Sequence, residues 1–185
     1  HMYKIITQVA AMNAQQQNIS NKGRVTIIAT AQFTNISLLI TLFPEAKQHI
    51  DLIVFMGGCI GMGNLHPAAE FNVMCDPEAA SIVFNNANCI APEKTCITQE
   101  EQSASYNLVM IPIEVSHHYA LCSKATLAQI SALNSHFSQI IVDILTFYAD
   151  AYKTVYKFNE VPVHDPCAVC YAIDPSQFNC VWMRY

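Results

Sequence analysis

Charge is scarce in this chain. Only 12% of its 185 residues are Asp, Glu, Lys or Arg, against 52% apolar, and nine Lys and Arg face fourteen Asp and Glu for a net charge of -5. So few cations, none gathered into a stripe, argue against nucleic acid or an anionic membrane as a partner. Long apolar runs are also missing. The longest are of strand length or are broken by polar residues, so no transmembrane span or signal peptide is expected, and a reducing cytoplasm is the expected compartment. No internal repeat and no low-complexity tract long enough for a linker is present, which leads to one α/β domain over residues 3–185 around a single core. His1-Met2 reads as a cloning remnant. Eight cysteines lie mostly in apolar contexts, as around Cys59 and Cys89, and read as buried thiols rather than disulfides.

Glycine is rare too, and its distribution is uneven. Of five glycines, four fall between positions 57 and 63, inside the stretch Met56 to Pro77, M-G-G-C-I-G-M-G-N-L-H-P-A-A-E-F-N-V-M-C-D-P. The apolar run Leu52 to Phe55 ahead of it suits a strand buried on both faces of a parallel sheet. Glycines there let the backbone turn sharply and approach a ligand closely, while Asn64, Glu70 and Asn72 supply polar groups. Asp76-Pro77-Glu78 then opens a helix, with Asp as N-cap and Pro at the first helical position. The stretch reads strand, ligand loop, helix, and open parallel sheets hold ligands at the carboxyl ends of their strands.

Along the rest of the chain, Tyr3 to Asn18 carries Ile5, Ile6, Val9, Ala10 and Met12 at helical spacing, a helix with no evident partner. Val25 to Ala29 is a strand ending at Thr30, and Thr34-Asn35 caps a helix from Ile36 to Leu42 that Pro44 closes. Ala79 to Asn86 reads as helix, Pro92 to Tyr106 as a polar loop, and Leu108 to Val115 as strand. Two helices follow, Ser123 to His136 and Ser138 to Lys157, the second with Ile141, Ile144, Leu145 and Tyr148 on one stripe. His164-Asp165-Pro166 starts a last helix through Ile173. Alternation of this kind implies an α/β fold with a mostly parallel central sheet flanked by helices.

Met56-Gly57-Gly58, Asn64, Ala68-Ala69-Glu70-Phe71-Asn72 and Asp76-Pro77-Glu78-Ala79-Ala80 together resemble the central signature of the inosine-uridine preferring nucleoside hydrolases. Pro162-Val163-His164-Asp165-Pro166-Cys167-Ala168-Val169 resembles that family's H-D-P motif, in the same order. The resemblance implies a Rossmann-like layered fold and hydrolysis of the N-glycosidic bond of a ribonucleoside by a Ca²⁺-held water. It assigns Asp165 and the main-chain carbonyl of Thr30 to the metal, and Asn64, Glu70 and Asn72 to the ribose hydroxyls. Met56 and Phe71 fall in the same substrate-binding signature. His164 becomes the proton donor beside the leaving base, suited to that by an ordinary pKa of about 6.5. Tyr148 and Tyr152, four apart on one helix, take the place of the family's base-side aromatics.

Plainer readings stand beside these. Glu70 could be a solvated loop carboxylate, Asp165 an N-cap, and the two tyrosines core aromatics. Cys167-Ala168-Val169-Cys170 has no second pair at metal-site spacing, and His117-His118 with Cys122 reads as structural at a strand end. The family's opening aspartate cluster, D-x-D-x-x-x-D-D, has no counterpart, since the only carboxylates before Glu70 are Glu45 and Asp51. Ca²⁺ takes six to eight oxygens, so the resemblance implies a partial domain that is incomplete relative to the family and supplies half a site. Two functions remain open: a nucleoside hydrolase whose other ligands lie elsewhere, and an inactive domain that binds nucleosides or serves in assembly. With so apolar a composition and an unpaired edge beside Val25 to Ala29, a homo-oligomer is expected.

Overall fold

The apolar run ahead of the glycines is the middle strand of a parallel sheet. A computed structural model describes residues 1–14, 23–88 and 105–183, in two units: His1–Ile113 with Ala168–Tyr185, and Glu114–Cys167. In the first unit β1 (Val25–Ala29), β2 (Ile50–Met56) and β3 (Asn107–Ile111) pair in the order β1-β2-β3, both pairings parallel. Ala29 faces Phe55, which faces Met110. Ile50, Ile53, Val54, Phe55 and Met56 of β2 are all buried, which is why this strand carries an apolar run and not an alternation.

Helices α1 (Met2–Ala14), α2 (Thr34–Leu42) and α4 (Pro77–Asn85), with the short α3 (Phe71–Cys75) before α4 and a 3₁₀ turn at Pro44–His49, accompany the sheet. The core centres on Phe33, Phe55 and Phe84, whose rings meet edge to face at centroid distances of 4.8, 6.0 and 5.6 Å. Tyr106 is fully buried and its hydroxyl donates to the Val83 carbonyl at 2.7 Å. Because every pairing is parallel, Thr30, Gly57 and Pro112 leave the sheet at one end.

The first unit corrects three expectations. Helix α1 does have a partner, for Ile6 and Ala10 are buried and Tyr3 stacks on Phe43 at 4.6 Å, although Ile5, Val9 and Met12 stay exposed. Thr34 is not a cap: Phe33 occupies that position without a side-chain bond, and the Thr34 hydroxyl donates to the Asp76 carboxylate. The strand expected to run to Val115 stops at Ile111, because Pro112 has no N–H for a ladder, and α5 (Ile113–Tyr119) follows. Asp76 does cap α4, accepting from Ala79 N at 3.0 Å with Pro77 next.

In the second unit β4 (Leu121–Cys122) and β5 (Val161–Pro162) form an antiparallel pair. Ser123 caps α6 (Lys124–Ala132), and a left-handed Asn134 (φ 48°) breaks the helix that the sequence suggests through His136. A reciprocal cap between Ser135 and Ser138 then starts α7 (His136–Ala151), which widens into a π turn over Tyr152–Tyr156 and ends at Lys157 (φ 61°). Helix α8 (Asp165–Ile173) has the expected bounds. Six described cysteines are free thiols, but only Cys122 and Cys167 are buried, which narrows the expectation of burial; Cys89 and most of the Pro92 to Tyr106 loop lie outside the described residues. Among the described residues no helix is long and apolar enough to cross a membrane.

Candidate active site

In the first unit the sequence signature closes on itself around Glu70, which is only 3% exposed. Its Oε2 accepts from Gly58 N at 2.9 Å and Val73 N at 3.3 Å, and its Oε1 from Asn72 N at 2.9 Å. Glu70 is thus the N-cap of α3 and the clasp that returns this helix to the end of β2. The reading of 64–72 as loop is corrected here, since Phe71 and Asn72 are helical. A buried carboxylate held by three backbone donors is also not the solvated group of the plainer reading. Asn72 Nδ2 donates to the Met56 carbonyl at 3.0 Å, and Gly58, at φ 75°, makes the turn between them. Met56, Gly58, Glu70 and Asn72 therefore form one hydrogen-bonded group. Phe71 is 43% exposed on α3. Asn64 is exposed, its Oδ1 accepting from Leu65 N at 2.8 Å, and exposed Thr30 follows β1 at the same end of the sheet.

In the second unit the structure brings together His164, Tyr152 and Ser116. His164 Nδ1 lies 2.6 Å from Ser116 Oγ, and its Nε2 lies 2.7 Å from the Tyr152 hydroxyl. The ring of His117 stands 5.4 Å from that of His164 and 4.9 Å from Phe158, and Tyr152 meets Phe158 edge-on at 5.9 Å. Burial, and then the neighbouring His117, push the His164 pKa down to about 4. The ordinary value expected from the sequence does not hold, and near neutral pH the imidazole is uncharged. His117 is lowered as well, by burial and by His118 against an opposing pull from Glu114. Burial raises Tyr152, with Tyr156 and Tyr148 adding to it, so its phenol keeps its proton. Tyr148 is half exposed and meets Phe147 edge-on at 5.9 Å. Asp165 is the first residue of α8 and exposed, yet the surrounding protein raises its carboxyl above the usual carboxylate value. Sequence reasoning missed Ser116, because it placed Glu114 to His117 at a strand end and not on helix α5.

The family profile described as inosine-uridine preferring nucleoside hydrolase matches residues 4–184. The chain belongs to this family. It is 35% identical to a probable ribonucleoside hydrolase of Dictyostelium discoideum, over 99% of this chain and 48% of that protein. To the pyrimidine-specific ribonucleoside hydrolase of Shewanella woodyi it is 33% identical, over 86% of this chain and 45% of that one. Among solved structures, a purine-preferring ribonucleoside hydrolase from Gardnerella vaginalis superposes with a TM-score of 0.70 at 27% identity, covering 94% of this chain and 46% of its own. A plant nucleoside hydrolase superposes equally well, with a TM-score of 0.70 at 24% identity over 94% and 46%, which speaks for the Rossmann-like fold. The chain spans about half the length of the curated relatives it matches.

Within a nucleoside hydrolase, the Ca²⁺ that the sequence motifs imply asks for six to eight oxygens. Among the described residues no three His, Cys, Asp or Glu side chains draw together as a metal centre. Asp51 pairs with Arg24 at 3.7 Å. Thr30 and Asp165 alone do not compose a complete shell.

Proposed function

We propose that this chain supplies the sugar-holding and leaving-group parts of a ribonucleoside hydrolase site. The observation that carries this reading is the 2.7 Å contact between the Tyr152 hydroxyl and His164 Nε2, in a chain that belongs to a nucleoside hydrolase family. When the N-glycosidic bond breaks, its electron pair leaves with the base, a water oxygen bonds to C1′, and the water gives up a proton while the base gains one. A neutral His164 is a poor acid. Tyr152, whose phenol stays protonated, is the donor, and His164 orients it. Asn72 and Glu70 hold the ribose hydroxyls, where a hydrogen bond to a charged group is worth roughly 1.5 to 3 kcal/mol. Glu70 Oε1 takes one backbone N–H, which leaves it further acceptor capacity.

The family's motifs assign the Thr30 carbonyl and the Asp165 carboxylate to a Ca²⁺, and such an ion, when bound, would supply acidification of the attacking water. The engagement of Asp51 with Arg24 favours a second reading, an inactive domain that still binds nucleosides. NMR titration of the chain with inosine and with uridine tests the first claim: resonances of Asn72 and Tyr152 are expected to move, and a flat titration with both would remove the function. Calorimetry tests the partial shell. Submicromolar Ca²⁺ binding by the chain alone, or steady ribose release from it, would contradict the statement that it holds only part of the site.

A further inference from the structure

Asn72 has a side chain whose two polar ends are fixed by their neighbours. Its Nδ2 lies 3.0 Å from the Met56 carbonyl oxygen and 3.7 Å from the Met56 sulfur. A main-chain carbonyl accepts and never donates, so the end of the amide that meets it must be the NH₂. The reversed amide would set oxygen against oxygen with no hydrogen between them. Oδ1 is therefore turned away from that carbonyl. Among the described residues no donor is hydrogen-bonded to Oδ1, and the atom is not shut off from solvent, so it is open to a ligand. The start of the side chain is held as well. Asn72 N donates to Glu70 Oε1 at 2.9 Å, and a Cβ added at Gly57 would stand 3.4 Å from the Asn72 Cβ and 3.0 Å from Glu70 Oε2. A glycine at that point leaves room for Asn72 against the end of β2.

We propose that Met56 is a positioning residue whose carbonyl takes the Asn72 NH₂ and so presents Oδ1 to the sugar, making Asn72 an acceptor that selects for a hydroxyl hydrogen. The link to a sugar rests on the reading of Asn72 as a ribose binder. The amide orientation does not. An asparagine free to turn would serve a ligand donor and a ligand acceptor equally well, whereas an asparagine pinned by a carbonyl serves only a donor. A free hydroxyl brings the hydrogen that Oδ1 needs. A fluorine or an ether oxygen in the same place sets lone pairs against lone pairs and leaves Oδ1 unpaired on binding. This part of the site therefore sorts ligands by the polarity of one group and not by its size.

Two NMR measurements on the ¹³C,¹⁵N-labelled chain test this. Without ligand, a coupling through the hydrogen bond is expected between Asn72 Nδ2 and the Met56 carbonyl carbon, and the Nδ2 hydrogens should exchange with water about tenfold more slowly than those of exposed Asn64, the factor that one hydrogen bond of ordinary net strength is worth. No coupling together with equal exchange overturns the orientation. Inosine is then titrated beside analogues in which one sugar hydroxyl is replaced by hydrogen, by fluorine or by an amino group. The hydroxyl that Asn72 takes is the one whose removal stops the Asn72 side-chain signals from moving. At that position hydrogen and fluorine should both weaken binding by about tenfold, and the amino group, which carries N–H, should restore it. Fluorine binding as tightly as hydroxyl would show that Asn72 offers N–H, and overturns the inference. Asn72→Ala should bind the hydroxyl and fluoro ligands alike, and if that variant fails to fold the wild-type series still decides. A flat inosine titration with the coupling present would remove the proposed function and leave Met56 in its role. Asn72 signals that move with inosine, with no coupling and fast exchange, would remove the inference alone.

Discussion

Glu70 shows how one residue can be legible in a sequence for one reason and matter in the fold for another. The run Ala68 to Asn72 marks it, but nothing in that run says that its carboxylate returns to Gly58, 12 residues earlier, and closes the turn at the end of β2. Glu70→Ala leaves three backbone N–H groups without their acceptor in a site with almost no solvent, and urea unfolding should show a loss of about 2–4 kcal/mol. Glu70→Gln keeps an acceptor oxygen for part of the clasp and should cost less than half of that. Equal losses for the two would mean that the clasp contributes little. Gly63 makes a second demand of this kind, for a Cβ there would sit 2.1 Å from the carbonyl oxygens of both His66 and Ala69. Backbone atoms cannot yield as a side chain does, so Gly63→Ala should reshape residues 61–69, seen as shifted amide resonances there with β2 unchanged. Ser116 was hidden for a different reason: its partner is 48 residues away, and the local pattern Leu108 to Val115 looks like one strand until the Pro112 break is given its weight.

At the scale of elements, local signals held and distant ones did not. Asp76-Pro77 starts α4 as its sequence says, because cap and helix are adjacent in the chain. Thr34, a good N-cap by type, is diverted to the Asp76 carboxylate 42 residues on. This pairing has a pH signature. The Thr34 hydroxyl, and after it the Ala79 N–H, hold the Asp76 carboxyl below its ordinary value. A lowered carboxyl favours the folded state when ionised. Its contribution is therefore complete above the unfolded value of about 3.9 and is lost as pH falls through the lower folded value. Thermal melts of the wild type should lose stability below about pH 4, where those of Asp76→Asn should be flatter. If the two curves fall in parallel, Asp76 has no part in the acid transition. The reciprocal Ser135 and Ser138 cap on α7 gives a simpler expectation, since Ser135→Ala should cost about 1 kcal/mol at any pH.

For the whole molecule, the parallel pairing of β1, β2 and β3 follows from strands separated by helices, and the sequence pattern was enough for that, though not for their order. What it left open was how far the apolar surface would be covered. Among the described residues β1 has a neighbour on one side only, β2. Ile28 on β1 is 38% exposed, and on α1, which carries two buried residues, Ile5, Val9 and Met12 are exposed. Only 12% of the chain is charged, so few side chains can guard that edge in the way edge strands are usually protected. The 185-residue chain is therefore predicted to self-associate through β1 and α1, with light scattering giving a mass above that of the monomer. Arginine or lysine at exposed positions should shift it towards monomer, and Ile28→Lys is the sharpest choice, because a charge on the strand opposes pairing there while the buried residues of β2 are untouched. A monodisperse monomer that melts cooperatively and binds no apolar dye would show that β1 and α1 need no partner.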